Sequence, residues 1–432
     1  MKPAPFRSVW THSDLVRQPS RFFFICRHQV VLWLLVLMLV SGLLVRARAD
    51  DDFTYRYEKY QENSGRIGVE SHLGQFDVTL TPWLSFKGQV VNDAVSGATP
   101  TGLPKTAQIP TNSFASSIWA DSYARAHMKD NRMAGFGEPT FTYGANRLSV
   151  QASYSGESDY ISRGIALNYS RDFNDKNTTL NVGWSHDFDT IEQGASPYGS
   201  LFLDRYGKHI DPKKDADEFI VGVNQLLSPK TILTANFEFG YENGYLGDPY
   251  KGFLFYDGVG GPEQVPGQRT KEIFYTQLTQ FVTPLNGSVE ASYRFYSDSY
   301  GIFAHTASVA WLQKIGETLV ISPSFRYYRQ SAADFYHITL PGYVGSIPVA
   351  TGDPTPFDNN PQPVIPRHYS ADYRLSELQT MTAGVSLSWK VVDHFYVEAS
   401  YERYIMQGLD GQTPQDVYPN ANVFTVGARL SF

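Results

Sequence analysis

Hydrolysis would require a basic side chain and a nucleophile within hydrogen-bonding reach of each other. His305 and Ser308 are the first candidates, but their spacing of three places them on opposite faces of a β-strand. His305 instead alternates with Phe303 and so belongs to an apolar face. His337, three residues after Asp334, is a second candidate for a catalytic pair on a loop. One such pair is common by chance, so we predict that the chain is not an enzyme.

Metal and cofactor chemistry has little support in the sequence. The chain has one cysteine, and its ten histidines show no metal-ligand spacing. No glycine-rich phosphate loop leads from a strand into a helix. The formal net charge is −7, and no basic run lies beyond the N-terminus, which disfavours nucleic-acid binding. The sequence therefore predicts no resident metal, no cofactor and no nucleic-acid partner.

The N-terminal segment has the order of a secretory signal peptide. An uncharged apolar run at 30–45 follows basic residues and precedes Ala47-Arg48-Ala49, after which an acidic stretch begins. This run is short for a helix that spans a bilayer, which needs about 20 residues. We therefore predict a cleaved signal peptide at 1–49 and an exported chain at 50–432. An uncleaved membrane anchor is the alternative.

The exported chain shows the alternation of half-buried β-strands. Apolar and polar residues alternate through 231–242, 288–298 and 379–389, each about as long as a tilted transmembrane strand. A soluble β-sandwich would alternate in the same way. Two features favour a membrane barrel over a sandwich: aromatic residues at strand ends, such as Trp389, and opposite faces that are small or charged.

The last strand carries a more specific signal. Apolar residues recur in twos from Phe424 through Val426, Ala428 and Leu430 to the terminal Phe432. This pattern resembles the C-terminal strand of bacterial outer-membrane barrels, which the barrel-assembly machinery recognises. Together with the signal peptide it predicts a protein of the Gram-negative outer membrane. Its expected partners are outer-membrane lipid and, through Phe432, that machinery.

Short turns and long loops alternate along the chain, as they do in outer-membrane barrels. The predicted short, periplasmic turns are at Gly74–Gln75, 144–146, 173–177, 228–230, 284–286, 315–317 and 391–394. The predicted outer loops are 92–130, 190–216, 246–271, 332–376 and 407–421, with shorter links at 62–65, 158–159 and 299–301. This arrangement predicts an all-β, antiparallel transmembrane β-barrel of about 16 strands. The alternative is 14, if 53–61 and 131–143 are not strands.

Several stretches near strand ends carry a family resemblance. They are 93–102, 157–162, 244–251, 293–298 with 304–306, 326–336 and 369–376. Together they resemble a family of uncharacterised Gram-negative outer-membrane β-barrel proteins, a domain of unknown function. The resemblance covers nearly the whole exported chain. It implies the fold and the location but no substrate.

Charged residues in these stretches should lie near the outer end of the barrel. They are Asp93, Glu157, Asp159, Asp248, Asp298, Arg326, Arg329, Asp334, Asp372 and Arg374. The simplest interpretation is an ion-paired rim that holds the loops together. A second is a binding vestibule that selects solutes by charge. A third is a Ca²⁺ site built from acidic loops, although no EF-hand spacing occurs.

The favoured function is a passive or ligand-selective channel for small polar solutes. Its lumen should be lined by Glu157, Glu238, Glu290, Arg294, Asp298, Arg326, Glu398, Glu402 and Arg429. Walls with a net acidic charge predict a preference for cations or neutral solutes. A closed structural or docking barrel of an envelope complex is the alternative, and an outer-membrane hydrolase is a weaker one.

Overall fold

The computed structural model describes residues 51–104, 123–191, 212–248, 250–255, 260–340 and 366–432. The predicted leader, 1–49, lies outside these residues. The strands are β1 (Asp52–Glu62), β2 (Gly68–Thr81), β3 (Leu84–Pro104), β4 (Tyr123–Tyr143), β5 (Asn146–Gly156), β6 (Tyr160–Phe173), β7 (Thr178–Ile191), β8 (Lys213–Ser228), β9 (Thr231–Gly244), β10 (Gly252–Phe255), β11 (Gly260–Pro262), β12 (Gln268–Val282), β13 (Gly287–Asp298), β14 (Phe303–Ile315), β15 (Leu319–Gln330), β16 (Thr339–Leu340), β17 (Leu378–Val392), β18 (Phe395–Gly408) and β19 (Asn420–Ser431). Three short 3-10 turns lie at Thr283–Leu285, Tyr373–Leu375 and Gln415–Val417.

Sixteen of these strands form a closed antiparallel barrel, which confirms the predicted fold and strand count. Each barrel strand pairs with its neighbours in chain order, and β1 closes the ring by pairing with β19. The weakest predicted strand, 53–61, is β1, whose Phe53 lies between Leu430 and Phe76. The alternative of 14 strands is therefore wrong.

The two faces of the barrel wall differ in polarity. Residues that face outward are large, apolar and exposed, including Phe237, Phe274, Val309, Phe325, Val385 and Phe424. The intervening positions face the lumen and are polar or small, as Glu238 and Arg294 are. An exposed apolar coat around a closed sheet suits contact with lipid, because closure leaves no unpaired backbone edge. Within the described residues, no helix is long and apolar enough to cross a membrane.

The first predicted turn, Gly74–Gln75, is wrong. β2 runs through both residues, and Gly74 pairs with Tyr55 on one side and Val90 on the other. The chain reverses instead at Pro82–Trp83, between the paired Thr81 and Leu84. Gly74 adopts no positive φ and a Cβ would fit there without contact, so this glycine does not mark a reversal.

Strands also extend into two predicted loops. β3 reaches Pro104 and β4 begins at Tyr123, so much of 92–130 is a long paired hairpin whose tip lies outside the described residues. The predicted loop 246–271 contains β10, β11 and the start of β12. We name the described outer loops L1 (63–67), L3 (157–159), L5 (245–267), L6 (299–302), L7 (331–377) and L8 (409–419). The structure leaves 105–122, 192–211 and 341–365 undescribed.

Candidate functional site beneath the outer loops

L5 and L7 join to form a cap at the outer end of the barrel. β10 pairs with β11 inside L5, and it pairs in parallel with β16 of L7. Gln264 and Tyr369 form a second bridge between the loops, with both backbone N–H groups donating across it, at 2.9 and 2.7 Å. The described parts of L5 and L7 are therefore one hydrogen-bonded unit, which we call the cap.

The cap crosses the mouth of the barrel. L5 connects β9 to β12, yet Lys251 Nζ donates to the carbonyl oxygen of Pro100 on β3 at 2.6 Å. The Tyr250 hydroxyl donates to Asp159 in L3 at 2.6 Å. β3 and L3 lie several strands away from β9 and β12 in either direction around the ring. L5 can reach them only by passing over the lumen.

Charged side chains hold the centre of the cap, where Asp372 and Lys251 are buried and Arg374 is about half exposed. The Arg374 guanidinium pairs with Asp372 in L7 and with Asp248 in L5. Burial opposes ionisation of Asp372, but the nearby Arg374 and Lys251 outweigh it and hold the pKa of this carboxyl at about 2. Lys251 is only 2% exposed and stacks its ammonium group near the Tyr373 ring, 5.4 Å from the centroid. These pairs tie L5 to L7 across more than a hundred residues of sequence.

Glu263 is the third carboxyl group of this cluster. It accepts hydrogen bonds from the backbone N–H of Asp248 at 2.7 Å and from the Ser370 hydroxyl at 2.5 Å. Burial, together with the charges of Asp372 and Asp248, raises the pKa of Glu263 to about 7. Three carboxyl groups thus face two cations, Arg374 and Lys251, and charges balance only while Glu263 is protonated.

Further contacts fasten L7 to L1 and L8. Arg66 Nη1 in L1 donates to the carbonyl oxygen of Val417 at 2.7 Å, and Nε pairs with Glu62 at 2.7 Å. The hydroxyls of Ser376 and Tyr418 are 2.6 Å apart, and those of Tyr336 and Thr413 are 2.5 Å apart. The cap is therefore held on several sides of the mouth.

Asp298, predicted to line the lumen or its rim, organises L6. Its carboxylate accepts Arg269 Nε at 3.0 Å, the Tyr296 hydroxyl at 2.7 Å and the backbone N–H groups of Tyr300 and Ile302. Asp334 packs against Gly301, whose φ of +82° closes the turn. Asp334 therefore has a structural role at the contact of L6 with L7.

A cavity of about 380 Å³ lies between the cap and the lumen wall. The wall contributes Arg269, Arg294, Tyr296, Tyr328 and Gln330, and L6 contributes Tyr300 and Ile302. The cap contributes Leu246, Asp248, Glu263, Val265, Asp372, Arg374 and Leu375. Four of the predicted residues, Asp248, Arg294, Asp372 and Arg374, line this one space. This cavity is the candidate functional site.

The lumen wall below the cavity carries charges that nothing in the described structure neutralises. Glu238, Glu290, Glu402 and Arg326 face inward and have no ion pair or hydrogen bond among the described residues. Glu398 pairs with Arg56 at 3.1 Å. Arg429 lies 4.4 Å from the Tyr396 ring centroid. Seven of the nine residues predicted to line the lumen therefore lie at inward-facing strand positions: Glu238, Glu290, Arg294, Arg326, Glu398, Glu402 and Arg429. Glu157 lies instead in L3, and the Asp298 side chain is fully buried at L6.

The remaining predicted residues lie at the rim. Asp93 is buried and pairs with Arg132 on the neighbouring strand, with Arg132 Nε 2.8 Å from the carboxylate. Arg329 faces outward on β15, away from the lumen, and pairs with Glu377 at 2.9 Å. Arg329 therefore takes no part in the cavity. The strand alternation that puts Arg326 inward puts Arg329, three residues later, outward.

Three carboxyl groups converge at L3. Asp130, Glu157 and Asp159 each place an oxygen within 4.8 Å of the other two. Asp130 accepts the Ser158 hydroxyl at 3.0 Å, and Asp159 accepts Tyr250. Burial and the charge of Asp130 raise the pKa of Glu157. Oxygen ligands of this kind are those that a hard cation prefers, and these residues are where the described chain could hold one.

The candidate hydrolase residues His305 and Ser308 lie on opposite faces of the barrel wall. His305 faces outward and its Nδ1 is 2.7 Å from the Tyr293 hydroxyl, whereas Ser308 faces the lumen opposite Ser292. Burial lowers the pKa of His337, whose backbone N–H donates to the Ser370 carbonyl oxygen at 2.9 Å.

Sequence reasoning missed Lys251, Glu263, Arg269 and Arg66. The first three fall inside the predicted loop 246–271, where strand alternation was not applied. Lys251 does lie at the end of the stretch 244–251 that carries the family resemblance. The sequence therefore draws attention to this residue but does not identify the group that it contacts. The partner, Pro100, is distant in sequence and offers only a backbone oxygen.

Comparisons with known proteins identify a family of unknown function. A family model described as "Protein of unknown function (DUF3570)" matches residues 37–432. No curated protein matches the chain. Among solved structures, a bacterial polysaccharide outer membrane secretin is 9% identical, with a TM-score of 0.43 over 89% of this chain and 99% of that one. A BenF-like porin from Pseudomonas fluorescens Pf-5 is 9% identical, with a TM-score of 0.42 over 89% and 98%.

The siderophore receptor PirA from Pseudomonas aeruginosa is a longer protein with a similar barrel. It is 10% identical, with a TM-score of 0.38, and the match covers 84% of this chain. The chain spans 57% of the length of that receptor.

Proposed function

The chain belongs to the DUF3570 family of proteins of unknown function, and from its lumen and cap we propose that it is a gated outer-membrane channel for small polar solutes. The observation that carries this proposal has two parts. Charged side chains along the lumen wall have no ion pair or hydrogen bond among the described residues, and the cap above them is held by ion pairs. A wall built only for packing would bury or pair such charges. Barrels of 16 to 18 strands leave room for an aqueous channel.

Ionic conductance in a planar bilayer tests this proposal. The purified barrel should carry ion current, and a salt gradient should give a reversal potential that favours cations, because the chain carries more acidic than basic residues. Clear anion selectivity would contradict the assignment of the wall charges. No current under any condition, including conditions that weaken the cap, would contradict the channel itself.

A closed docking barrel is the second candidate. It is favoured by the number of contacts between the cap and L1, L3, L6 and L8, which would suit a rigid outer surface. The two functions differ in one property, which is whether weakening the cap opens a path for solutes. We propose no catalytic role, since His305 faces outward and lies 2.7 Å from the Tyr293 hydroxyl, whereas Ser308 faces the lumen.

We also propose that the barrel-assembly machinery recognises the last strand through Phe432. The Phe432 ring packs edge-on against Phe53, with centroids 6.4 Å apart, and its backbone N–H donates to the Asp51 carbonyl oxygen at 3.0 Å. Phe432 therefore lies at the seam where β19 meets β1. A terminal aromatic residue at the closing seam suits a signal that is read before the barrel closes.

Phe432→Ser is expected to reduce the amount of assembled barrel in the outer membrane to a minor fraction of the wild-type level. Heat-modifiable mobility of the membrane fraction on a gel measures this amount. Phe173→Ser is the matched control, since Phe173 is an outward aromatic residue at the turn end of β6. Equal losses in both variants would indicate loss of lipid contact and would contradict a recognition role for Phe432.

A further inference from the structure

Three arginines line the cavity under the cap, and Arg294 is the one that has no ion pair among the described residues. Arg269 pairs with Asp298, and Arg374 pairs with Asp248 and Asp372. Arg294 also lines the cavity, but its guanidinium has no ion pair and no hydrogen bond among the described residues. Its guanidinium lies 5.6 Å from the centroid of the Tyr296 ring and near the Tyr328 hydroxyl. Its N–H donors are therefore available to a ligand.

The carboxyl groups that share the cavity are already engaged. Asp248 and Asp372 accept from Arg374, while Glu263 accepts two hydrogen bonds of its own. Lys251 adds a further positive charge behind Asp372. Arg294 thus offers a positive charge that the neighbouring acids do not cancel, and an anion is the ligand that it suits.

The other side of the cavity is apolar. Leu246, Val265 and Leu375 of the cap pack with Ile302 and the Tyr300 ring of L6. This apolar cluster faces the same space as Arg294. The cavity therefore combines one guanidinium with an apolar wall, and its volume of about 380 Å³ lies within the range of small-molecule sites.

We propose that this cavity binds a small organic carboxylate, whose carboxylate group contacts Arg294 and whose apolar body packs against the wall of Leu246, Val265 and Leu375. The guanidinium fork matches a carboxylate in geometry, with two parallel hydrogen bonds. An apolar body explains why the wall of the cap is lined by leucine and valine. The inference rests on the proposed channel, since it names the class of solute that the site under the cap selects.

This site is a local exception to the acidic lumen. The composition predicts cations or neutral solutes, and the wall charges should still govern the flow of small ions. A bound carboxylate instead depends on one arginine and on the space around it. A free inorganic anion would lack the contact with the apolar wall, and a cation would meet Arg294 unfavourably.

Calorimetric titration of the full-length barrel in detergent micelles tests the proposal. Phenylacetate is the probe, and phenylacetamide is its neutral counterpart of similar shape. Phenylacetate should bind saturably, and phenylacetamide should bind at least about tenfold more weakly, because a neutral amide cannot form a bidentate ion pair with the guanidinium. Arg294→Met should weaken phenylacetate binding by a similar factor while leaving the weak binding of phenylacetamide unchanged.

Arg163→Met is the matched control. Arg163 is also an arginine without an ion pair among the described residues, but it faces outward on β6. Its loss changes the net charge equally and should leave phenylacetate affinity unchanged. The proposal is overturned if phenylacetate does not saturate, if both compounds bind equally, or if Arg294→Met has no more effect than Arg163→Met. Binding in micelles requires no conduction, so a barrel that conducts but does not bind contradicts only this inference.

Discussion

Lys251→Met is expected to open the barrel to small sugars, so that liposomes containing the variant swell in arabinose roughly tenfold or more faster than wild type. The substitution keeps the length of the side chain and removes a buried charge that contacts Pro100 and stabilises ionised Asp372. Removing one partner from a buried charged cluster typically costs about 3–5 kcal/mol. The substitution therefore destabilises the closed cap relative to the open cap, because the open cap exposes these groups to water.

Lys390→Met is the control for this experiment. Lys390 pairs with Asp393 at 2.7 Å in a short turn at the opposite end of the barrel, where the pair is exposed. Its loss should leave the swelling rate unchanged, since an exposed pair contributes little. A Lys251→Met barrel that folds normally and swells no faster than the control would show that the cap does not close the lumen.

The second large effect concerns pH and Glu263. The pKa of this carboxyl is raised to about 7 in the closed cap, above its ordinary value of 4.5. Between these two pKa values the closed cap keeps a proton that the open cap releases. The stabilisation that this proton gives to the closed cap is therefore complete below the ordinary pKa and is lost as pH rises through about 7. Asp372, with its pKa lowered to about 2, has the opposite dependence and loses its contribution only in strong acid. Solute uptake by the wild-type barrel should therefore rise between about pH 5 and about pH 8.

Glu263→Gln should remove this rise. The amide oxygen can still accept from the Asp248 backbone N–H and the amide NH2 can donate to the Ser370 hydroxyl, but the amide cannot ionise beside Asp248 and Asp372. Glu317→Gln, in a short turn at the far end, is the control and should keep the wild-type profile. The swelling rate measured across the pH range distinguishes these outcomes. A profile that stays flat in wild type, or persists in Glu263→Gln, would assign the pH response to another group or to none.

The barrel itself was predictable from sequence because its signals are local. Alternation in 288–298 depends only on which side of one strand each residue faces, and Phe432 ends such a pattern. The one false turn, at Gly74–Gln75, came from reading a glycine as a reversal. In the wall Gly74 is a small lipid-facing residue, and nothing near it in sequence distinguishes the two roles.

The cap was predictable only in part. Asp248, Asp372 and Arg374 were placed at the outer rim by strand parity, and the structure does bring them together. The partner of each residue depends on how L5 and L7 fold over the mouth of the barrel. These contacts join segments that are distant in sequence, so no periodic pattern in the sequence predicts them. Lys251 illustrates the limit, since a lysine in a loop is ordinarily solvated, and only the folded cap shows it buried against Pro100.

Single-channel recording of wild type beside Lys251→Met tests the central claim, that a polar lumen is already present and the cap gates it. Both barrels should show the same unitary conductance, because the wall that carries the current is unchanged. The variant should show a much higher open probability at the same voltage. Current steps of different size would mean that the substitution reshapes the lumen. Silence in both barrels would contradict the channel and leave the closed docking barrel as the better account.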